Sequence, residues 1–324
     1  MMRHLEQSAI HGTDLKVSRL GLGTAPLGGL FKSVAESESD SVIHEALNSG
    51  VNYIDTAPLY GYGVGEKRVG RGIKGFSPAP VISTKVGRLL RPGKNAEYDK
   101  FPDSDPNVEI YFDHSPVGIR KSLEESLTRL GKESIEIAYI HDADNWVREA
   151  IEVVYPELHK MREEGLIKAI GIGMNWCPTS VAIMKETDLN IALIAGRFTL
   201  LDQSAQAELY PLALAKKVSI IAAGVFNSGV LANPVEGAYY DYEIASQEII
   251  DKARAIAKFL EKFSVTLASA ALQFPLRHPA VASVLTGAGS TAELRANISS
   301  FDAELPDELW SEMEKEGLIQ PINL

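Results

Sequence analysis

Residues 115–141 read SPVGIRKSLEESLTRLGKESIEIAYIH and combine a helix with the strand that follows it. Ser115 and Pro116 suit an N-cap and a first helical position, and Gly131 suits the position just past a helix end. One face of this helix carries the apolar residues Ile119, Leu123, Leu127 and Leu130. Residues 135–140 are nearly continuous in apolar character, as in a strand buried on both faces. The stretch therefore predicts one unit of alternating helix and strand.

The same alternation extends over the rest of the chain. Seven further apolar runs, each separated from the next by a segment of helical period, lie at 20–23, 52–55, 81–85, 169–172, 191–194, 218–222 and 281–285. Eight βα units without a linker predict a closed (β/α)8 barrel, a TIM barrel of the α/β class. We expect a hairpin around 12–14 before it and an extra helix at 307–317 after it. Residues 1–324 are predicted to form a single domain.

A doubly wound parallel sheet is the competing architecture. It would need a glycine-rich turn directly after the first strand, and that turn would open a helix. Gly21, Gly23, Gly28 and Gly29 have a different spacing, and the next helical pattern begins only near 37–39. The spacing favours the barrel.

Composition narrows the functional classes. The chain has 324 residues and a net charge of -11, which argues against a nucleic-acid-binding surface. Its one cysteine, Cys177, allows neither an internal disulfide nor a cysteine metal cluster. The first residues lack the apolar core of a signal peptide, and no apolar run is long enough to span a membrane. We expect a cytoplasmic enzyme that acts on a small molecule, with its oligomeric state left open.

Four polar residues stand at the predicted carboxyl ends of neighbouring strands, which meet at one rim of a barrel. Asp55 ends the second strand, Tyr60 lies in the next loop, Lys85 ends the third strand and His141 follows the fourth. Each residue alone also fits a structural role. Together, at a rim where an unpaired Lys or Asp is poorly tolerated, they predict a catalytic site.

The four residue types suit proton transfer. A phenol with an ordinary pKa of about 10 is a poor proton donor unless a cation stabilises its phenolate. Lys85 would be that cation and would lower the pKa of Tyr60, Asp55 would keep Lys85 charged, and His141 would orient the substrate oxygen. The seven histidines show no metal-ligand spacing, so no metal is predicted.

The segment 52–61, NYIDTAPLYG, resembles the aldo-keto reductase signature around its Asp and Tyr. Lys85 in 82–86, His141 after 139–140 and Asn175 in 171–175 match further positions of that family, and the resemblance covers nearly the whole chain. It implies hydride exchange between a nicotinamide cofactor and a carbonyl carbon, while Tyr60 gives or takes the proton on oxygen. It also implies that Asn175 binds the nicotinamide amide.

The resemblance extends to the cofactor contacts. Residues 224–231 resemble a pyrophosphate-binding loop, and the candidate ligands there are Phe226, Asn227, Ser228, Gly229 and Leu231. Ala223 stands where many relatives carry an aromatic residue against the nicotinamide, and Phe198 is expected to substitute for it in part.

The segment after the eighth strand bears on cofactor choice. Where relatives that prefer NADP carry Lys or Arg, this chain has Gly287, Gly289 and Glu293, and Asn297 is a further candidate contact. A carboxylate repels a 2′-phosphate and accepts a hydrogen bond from a free 2′-hydroxyl. NAD is therefore expected, and NADP stays open because a small loop shift would bring Arg295 to the site.

Segments 55–66 and 141–144 look most like the branch of threo-aldose (L-fucose) 1-dehydrogenases and pyridoxal 4-dehydrogenases. That likeness implies oxidation of a cyclic hemiacetal to a lactone, with NAD as acceptor and Tyr60 as general base. An NADPH-dependent aldehyde or ketone reductase and a non-catalytic redox-sensing subunit, like a potassium-channel β subunit, remain alternatives. The insert 88–115 is expected to be a loop that walls the substrate pocket, together with Phe31, Leu59, Trp146 and Trp176.

Overall fold

The computed structural model describes residues 2–323, and its centre is a closed barrel of parallel strands. The strands of the chain are β1 (Gln7–Ala9), β2 (Lys16–Ser18), β3 (Leu20–Gly23), β4 (Tyr53–Asp55), β5 (Val81–Val86), β6 (Arg88–Pro92), β7 (Val108–Phe112), β8 (Ile135–His141), β9 (Ile167–Met174), β10 (Ile191–Ala195), β11 (Ser219–Ala223), β12 (Tyr239–Tyr240), β13 (Glu243–Ile244) and β14 (Val281–Gly287).

The barrel follows the order β3, β4, β5, β8, β9, β10, β11, β14, and β14 pairs back with β3. Each of the eight predicted apolar runs supplies one of these strands, so the predicted (β/α)8 barrel is confirmed and the doubly wound sheet is not adopted. Because every strand runs in the same direction, all carboxyl ends lie at one rim.

The helices are α1 (Glu36–Asn48), α2 (Val64–Gly72), α3 (Pro116–Leu130), α4 (Val147–Glu149), α5 (Tyr155–Glu163), α6 (Cys177–Glu186), α7 (Leu209–Lys216), α8 (Gln247–Glu261), α9 (Leu267–Gln273), α10 (Thr291–Asp302) and α11 (Leu309–Lys315). A π-helical turn, Ala150–Val154, joins α4 to α5. The Ser115 hydroxyl accepts from the Gly118 N–H at 3.1 Å, and Gly131 ends α3 with a φ of 65°, as the sequence predicts.

The predicted N-terminal hairpin is present as β1 and β2, and it closes the bottom of the barrel. Its Ile10, Leu15 and Val17 are buried in one apolar cluster with side chains from the barrel strands. A larger apolar cluster fills the space between the strands and the surrounding helices. The predicted extra C-terminal helix is α11, which packs on the chain before β14 through a pair between Arg277 and Glu314.

The barrel interior beneath the rim is filled by two tyrosines. Tyr53 and Tyr139 are fully buried. A Cβ atom at Gly21 would lie 2.7 Å from the Tyr53 ring, and one at Gly171 would lie 2.7 Å from the Tyr139 ring. These glycines therefore make room for the two rings.

The insert 88–115 is an antiparallel hairpin, so the expectation of a loop is wrong. Strands β6 and β7 pair from Arg88 with Phe112 to Pro92 with Val108. The run 108–112, VEIYF, is rich in β-branched and aromatic residues, which is typical of a strand. A second short hairpin, β12 with β13, follows the seventh barrel strand. Among residues 2–323, no helix has the length and apolar character needed to cross a membrane.

Candidate active site

Three of the four predicted catalytic side chains meet at the carboxyl rim. Lys85 Nζ lies 2.6 Å from Asp55 Oδ2, 2.9 Å from the carbonyl oxygen of Thr56 and 3.2 Å from the Tyr60 hydroxyl. Asp55 and Lys85 are almost completely buried. A buried ammonium and a buried carboxylate are tolerated only when each has a partner of opposite charge, and this pair satisfies both.

Asp55 is also held from below. The Ser83 hydroxyl donates to Asp55 Oδ1 at 2.7 Å, the Tyr53 hydroxyl lies 3.0 Å from Ser83 Oγ, and the Tyr139 hydroxyl lies 3.0 Å from that of Tyr53. Sequence reasoning missed this support. Ser83 is two residues before Lys85 on β5, so the alternation of a strand places both on one face and could have indicated it.

Tyr60 keeps its proton in this environment. Burial, followed by the negative charge of Asp55, holds the pKa of Tyr60 well above its ordinary value, while the charge of Arg88 acts in the opposite direction. Lys85 is in contact with the phenol as expected, but the net shift of the pKa is upward, against the expectation that Lys85 lowers it. At neutral pH Tyr60 is therefore a neutral phenol.

His141 ends β8 opposite Gly173 on β9. Burial, with the positive charges of Arg88 and Lys85, holds the pKa of His141 well below its ordinary value, so the imidazole is neutral at neutral pH. Its Nδ1 atom is buried and bonds to none of residues 2–323, whereas Nε2 lies 3.4 Å from Asp142 Oδ2. A neutral histidine can donate one hydrogen bond to a substrate oxygen.

An ion pair between Arg88 and Asp142 stands beside His141, and sequence reasoning missed it. Arg88 Nη2 donates to Asp142 Oδ2 at 2.6 Å. The position of Asp142, one residue after His141 at the strand end, is the signal that could have found it.

Asn175 follows β9 at the same rim. Its carbonyl oxygen accepts from Arg197 Nε at 2.8 Å, and its side chain lies near the Tyr242 phenol, where it partly offsets the rise that burial causes in the pKa of Tyr242. Tyr242 lies at the turn between β12 and β13, and its N–H donates to Ser228 Oγ at 3.0 Å. The turn thus links Asn175 to the loop 224–231, a contact that the sequence does not reveal.

The loop 224–231 contains three consecutive residues with left-handed backbone. The φ angles are 45° at Asn227, 59° at Ser228 and 116° at Gly229, and no atom lies within 4 Å of a Cβ placed on Gly229. Asn227 is buried, and its Oδ1 accepts from none of the described residues. Phe226 is partly buried against the core. Leu231 is fully buried and its N–H donates to Phe226 O, so we assign it to the packing of the loop rather than to ligand contact.

Carboxylates surround the start of α10. The Gly289 N–H donates to Glu293 Oε2 at 2.8 Å, and the Thr291 N–H donates to Glu38 Oε1 at 2.8 Å. Glu38 lies on α1 and is a second acidic group that sequence reasoning missed. Arg295 is paired with Glu45 of α1 at 2.7 Å.

Asn297 bonds back to the end of β14, since its Nδ2 donates to the Gly287 carbonyl at 3.2 Å. These contacts join the four cofactor candidates at and after the end of β14 into one local group. They are Gly287, Gly289, Glu293 and Asn297.

Comparison with known proteins identifies the family. The sequence profile described as "Aldo/keto reductase family" matches residues 19–316. The chain belongs to the aldo/keto reductase family.

Similar proteins of known name extend over nearly the full length. Pyridoxal 4-dehydrogenase of Microbacterium luteolum is 38% identical over 97% of this chain and 98% of its own. D-threo-aldose 1-dehydrogenase of a Pseudomonas species is 37% identical, again over 97% of this chain and 98% of its own. The holo form of an aldo-keto reductase from Bacillus halodurans has a TM-score of 0.78 and 25% identity over 99% of this chain and 98% of its own. This aldo-keto reductase is thus an oxidoreductase of a family that uses nicotinamide cofactors.

The rim of this aldo-keto reductase fits such a cofactor. Asn175 offers an amide for the nicotinamide carboxamide, and the open left-handed loop at 227–229 suits a pyrophosphate. Asn227 Oδ1 is a buried acceptor without a partner among the described residues, so it can accept from a donor on the ligand, such as a ribose hydroxyl, but not from the pyrophosphate.

The four residues predicted to line the substrate pocket have different neighbours. Phe31 stacks on Tyr239 with ring centroids 4.9 Å apart, the exposed Trp176 lies under the Arg197 guanidinium, and Leu59 is half-buried. Trp146 contacts the site, because its Nε1–H donates to the carbonyl oxygen of Asp142 at 3.1 Å. Their role as pocket residues stays a prediction.

Ala223 stands where relatives carry an aromatic residue, and Phe198 does not take the place of that residue. It is buried and packs against Tyr210, Phe274 and His278, in the core of the aldo-keto reductase. Among residues 2–323, no group of three His, Cys, Asp or Glu side chains is arranged as a metal site. The expectation of a reaction without a metal stays a prediction.

Proposed function

We propose that this aldo-keto reductase oxidises the cyclic hemiacetal of a small polar substrate, an aldose such as L-fucose or pyridoxal, to a lactone. The observation that carries the proposal is the chain of contacts from Asp55 through Lys85 to Tyr60, beside a neutral His141. The ion pair of Arg88 and Asp142 makes this rim polar, which suits a hydroxylated substrate better than an apolar aldehyde. The names of the two similar dehydrogenases support the same substrate class.

Each catalytic side chain has one role in this proposal. Tyr60 acts as general base in its phenolate form, which Lys85 stabilises from 3.2 Å away, and it becomes a neutral phenol when it takes the proton of the anomeric hydroxyl. Asp55 keeps Lys85 charged and aimed. His141 donates a hydrogen bond from Nε2 to the reacting oxygen. A nicotinamide dinucleotide, when bound, supplies the hydride acceptor.

Other residues would hold the dinucleotide. Asn175 is assigned to the carboxamide, and the loop with Phe226, Asn227, Ser228 and Gly229 is assigned to the pyrophosphate. The group of Gly287, Gly289, Glu293 and Asn297 is assigned to the adenosine end.

NAD is the proposed cofactor because two carboxylates stand at the start of α10, in the segment that the resemblance assigns to the adenosine ribose. Glu293 and Glu38 both accept hydrogen bonds from N–H groups at the start of α10. These are the donors that would otherwise attract a phosphate. Arg295, the cation that keeps NADP open, is paired with Glu45.

A second candidate is an NADPH-dependent aldehyde or ketone reductase. The raised pKa of Tyr60 favours this direction, because reduction needs a protonated phenol. The remaining alternative, a non-catalytic redox-sensing subunit, predicts a stable partner and very slow turnover. We further propose that residues 1–324 act as one domain, and the cytoplasmic location stays a prediction.

The substitution Tyr60→Phe tests the proposed mechanism. It removes the group that moves the proton and leaves the cofactor contacts in place, so kcat should fall by about 10²- to 10⁴-fold. The dissociation constant of NADH, followed by fluorescence titration, should change little. Tyr155→Phe, on the outer helix α5, is the matched control and should keep wild-type turnover. Near-normal turnover of Tyr60→Phe would exclude the mechanism.

A substrate panel tests the proposed activity. Sugars, pyridoxal and simple aldehydes are assayed with both cofactors, and nicotinamide absorbance is followed in each direction. Faster oxidation of aldoses or pyridoxal with NAD supports the dehydrogenase. Faster reduction of simple aldehydes with NADPH supports the second candidate.

A further inference from the structure

Asp142 is fixed in place by its backbone. Its φ of 47° lies in the left-handed region, its N–H donates to Gly173 O at 3.1 Å, and its carbonyl oxygen accepts from Trp146. A residue other than glycine adopts this conformation at an energetic cost, so the surrounding contacts must hold it there. The side chain is therefore aimed from a rigid point of the rim.

The two carboxylate oxygens of Asp142 have different surroundings. Oδ2 accepts from Arg88 at 2.6 Å and lies 3.4 Å from His141 Nε2. Oδ1 accepts from no residue between 2 and 323, and the side chain is 32% exposed. One oxygen is thus tied to the protein while the carboxylate stays open to the rim.

We propose that Asp142 determines substrate specificity by accepting a hydrogen bond from a hydroxyl on the carbon next to the reacting carbon. The inference rests on the proposed function in one respect, since it takes His141 as the donor to the reacting oxygen. Oxygens on neighbouring carbon atoms lie about as far apart as the two ends of a hydrogen bond. If His141 Nε2 binds the reacting oxygen, the Asp142 carboxylate beside it is well placed to accept from the hydroxyl on the neighbouring carbon.

The chemistry of a carboxylate makes this contact selective. It accepts hydrogen bonds and cannot donate them when ionised, so it recognises a hydroxyl and not an ether or a methylene. A substrate without that hydroxyl would leave Oδ1 without a hydrogen-bond donor, although Oδ2 stays paired with Arg88. The substrate class is therefore an aldehyde or hemiacetal with a hydroxyl on the neighbouring carbon. An aldose has this hydroxyl and pyridoxal does not, so of the two substrates in the proposed function the contact favours an aldose.

A purely structural role for Asp142 makes a different prediction. Arg88 belongs to β6, so its pair with Asp142 also fastens the inserted hairpin to the barrel. If Asp142 only fastens the hairpin, its substitution would lower kcat/KM for all substrates by a similar factor. The ratio of kcat/KM between two matched substrates separates the roles.

The experiment compares the wild type, Asp142→Asn and a control on two matched substrate pairs. An aldose and its 2-deoxy counterpart are oxidised with NAD, and lactaldehyde and propanal are reduced with NADH and with NADPH. The control is Glu109→Gln, which breaks a pair with Arg91 on the same hairpin. We expect the preference for the hydroxylated substrate to fall about 10- to 100-fold in Asp142→Asn and to stay unchanged in Glu109→Gln.

Each outcome decides the proposal. An equal loss on both members of each pair, or a wild type without preference for the hydroxylated member, overturns the role of Asp142. A wild type that oxidises no aldose overturns the dehydrogenase proposal, and the preference for lactaldehyde over propanal then decides Asp142 by itself. If thermal unfolding shows that Asp142→Asn is misfolded, Asp142→Ser replaces it with the same expected change in ratio.

Discussion

At the scale of single residues, this site depends on charges that are buried in pairs. Lys85 contacts Asp55, Thr56 and Tyr60 at once, and it has almost no exposure to water. Removing Asp55 would leave a buried ammonium without a counter-charge, which lowers the stability of the protein. The side chain of Ser83 adds a second restraint on Asp55. The proposed base, Tyr60, is therefore positioned by a continuous set of contacts.

Cofactor choice is also argued at this scale. Replacing Glu38 and Glu293 together by Gln keeps their shape and removes both negative charges at the start of α10. Repulsion of a 2′-phosphate should weaken, and the preference for NAD over NADP should fall about tenfold. Titration of both reduced cofactors by fluorescence measures the change.

The control for this double variant is Glu36→Gln, an exposed residue of α1 that pairs with Arg71. It should leave the preference unaltered. A double variant with an unchanged ratio of the two dissociation constants would contradict the role of the carboxylates.

At the scale of elements, the two hairpins bring remote residues to the rim. The β6–β7 hairpin supplies Arg88, and the turn between β12 and β13 supplies Tyr242. Asp241 and Tyr242 both have positive φ, at 49° and 67°, in a turn position that usually selects glycine or asparagine. Arg197 offsets part of this strain by pairing with Asp241 at 2.8 Å.

The barrel strands depend on glycine where the interior tyrosines are large. Gly171→Ala would place a Cβ atom 2.5 Å from the carbonyl oxygen of Ile191 and 2.7 Å from the Tyr139 ring. Moving the backbone of Ile191 away from the new methyl group costs free energy, so the free energy of unfolding should fall by about 1–3 kcal/mol. Chemical denaturation followed by circular dichroism measures this difference.

Gly289→Ala is the matched control for stability, because no atom lies closer than 3.6 Å to its added Cβ. It should leave the free energy of unfolding nearly unchanged. Equal stability of Gly171→Ala and the wild type would mean that the barrel relaxes around the extra methyl group.

At the scale of the whole molecule, burial at the rim sets the pH dependence. The pKa of Tyr60 lies well above its ordinary value, so the phenol is protonated at neutral pH and loses its proton only as pH rises. Oxidation needs the deprotonated form, so its kcat should rise with pH between about 7 and 10, and reduction should not.

Steady-state rates in both directions, measured over this range at constant ionic strength, test the dependence. In Tyr60→Phe, the residual rate of oxidation should increase much less with pH than the rate of the wild type. An oxidation rate that falls as the solution becomes more alkaline would contradict the assignment of Tyr60 as the base.

Local signals in the sequence are enough to predict the barrel and to select Asp55, Tyr60, Lys85 and His141 as candidates. Apolar runs such as 135–140 report burial on both faces, and helix ends such as Ser115 and Gly131 are local signals that no distant contact needs to complete. A polar residue at the end of a buried strand can likewise be recognised from the sequence, and in a barrel of parallel strands all such residues lie at one rim. That rule selects Asp55, Lys85 and His141 as candidates, and their combination at one rim predicts the site.

The surroundings of those residues depend on contacts between segments that are distant in the chain. The pair of Arg88 with Asp142, the contact of Tyr242 with Asn175 and the approach of Glu38 to α10 join segments from different βα units or from inserts. The upward shift of the pKa of Tyr60 likewise depends on burial and on charges from several strands. Such contacts depend on how distant segments pack across the rim. The hydrophobic pattern of one segment reports only its own helix or strand, so it does not reveal which other segment it will contact.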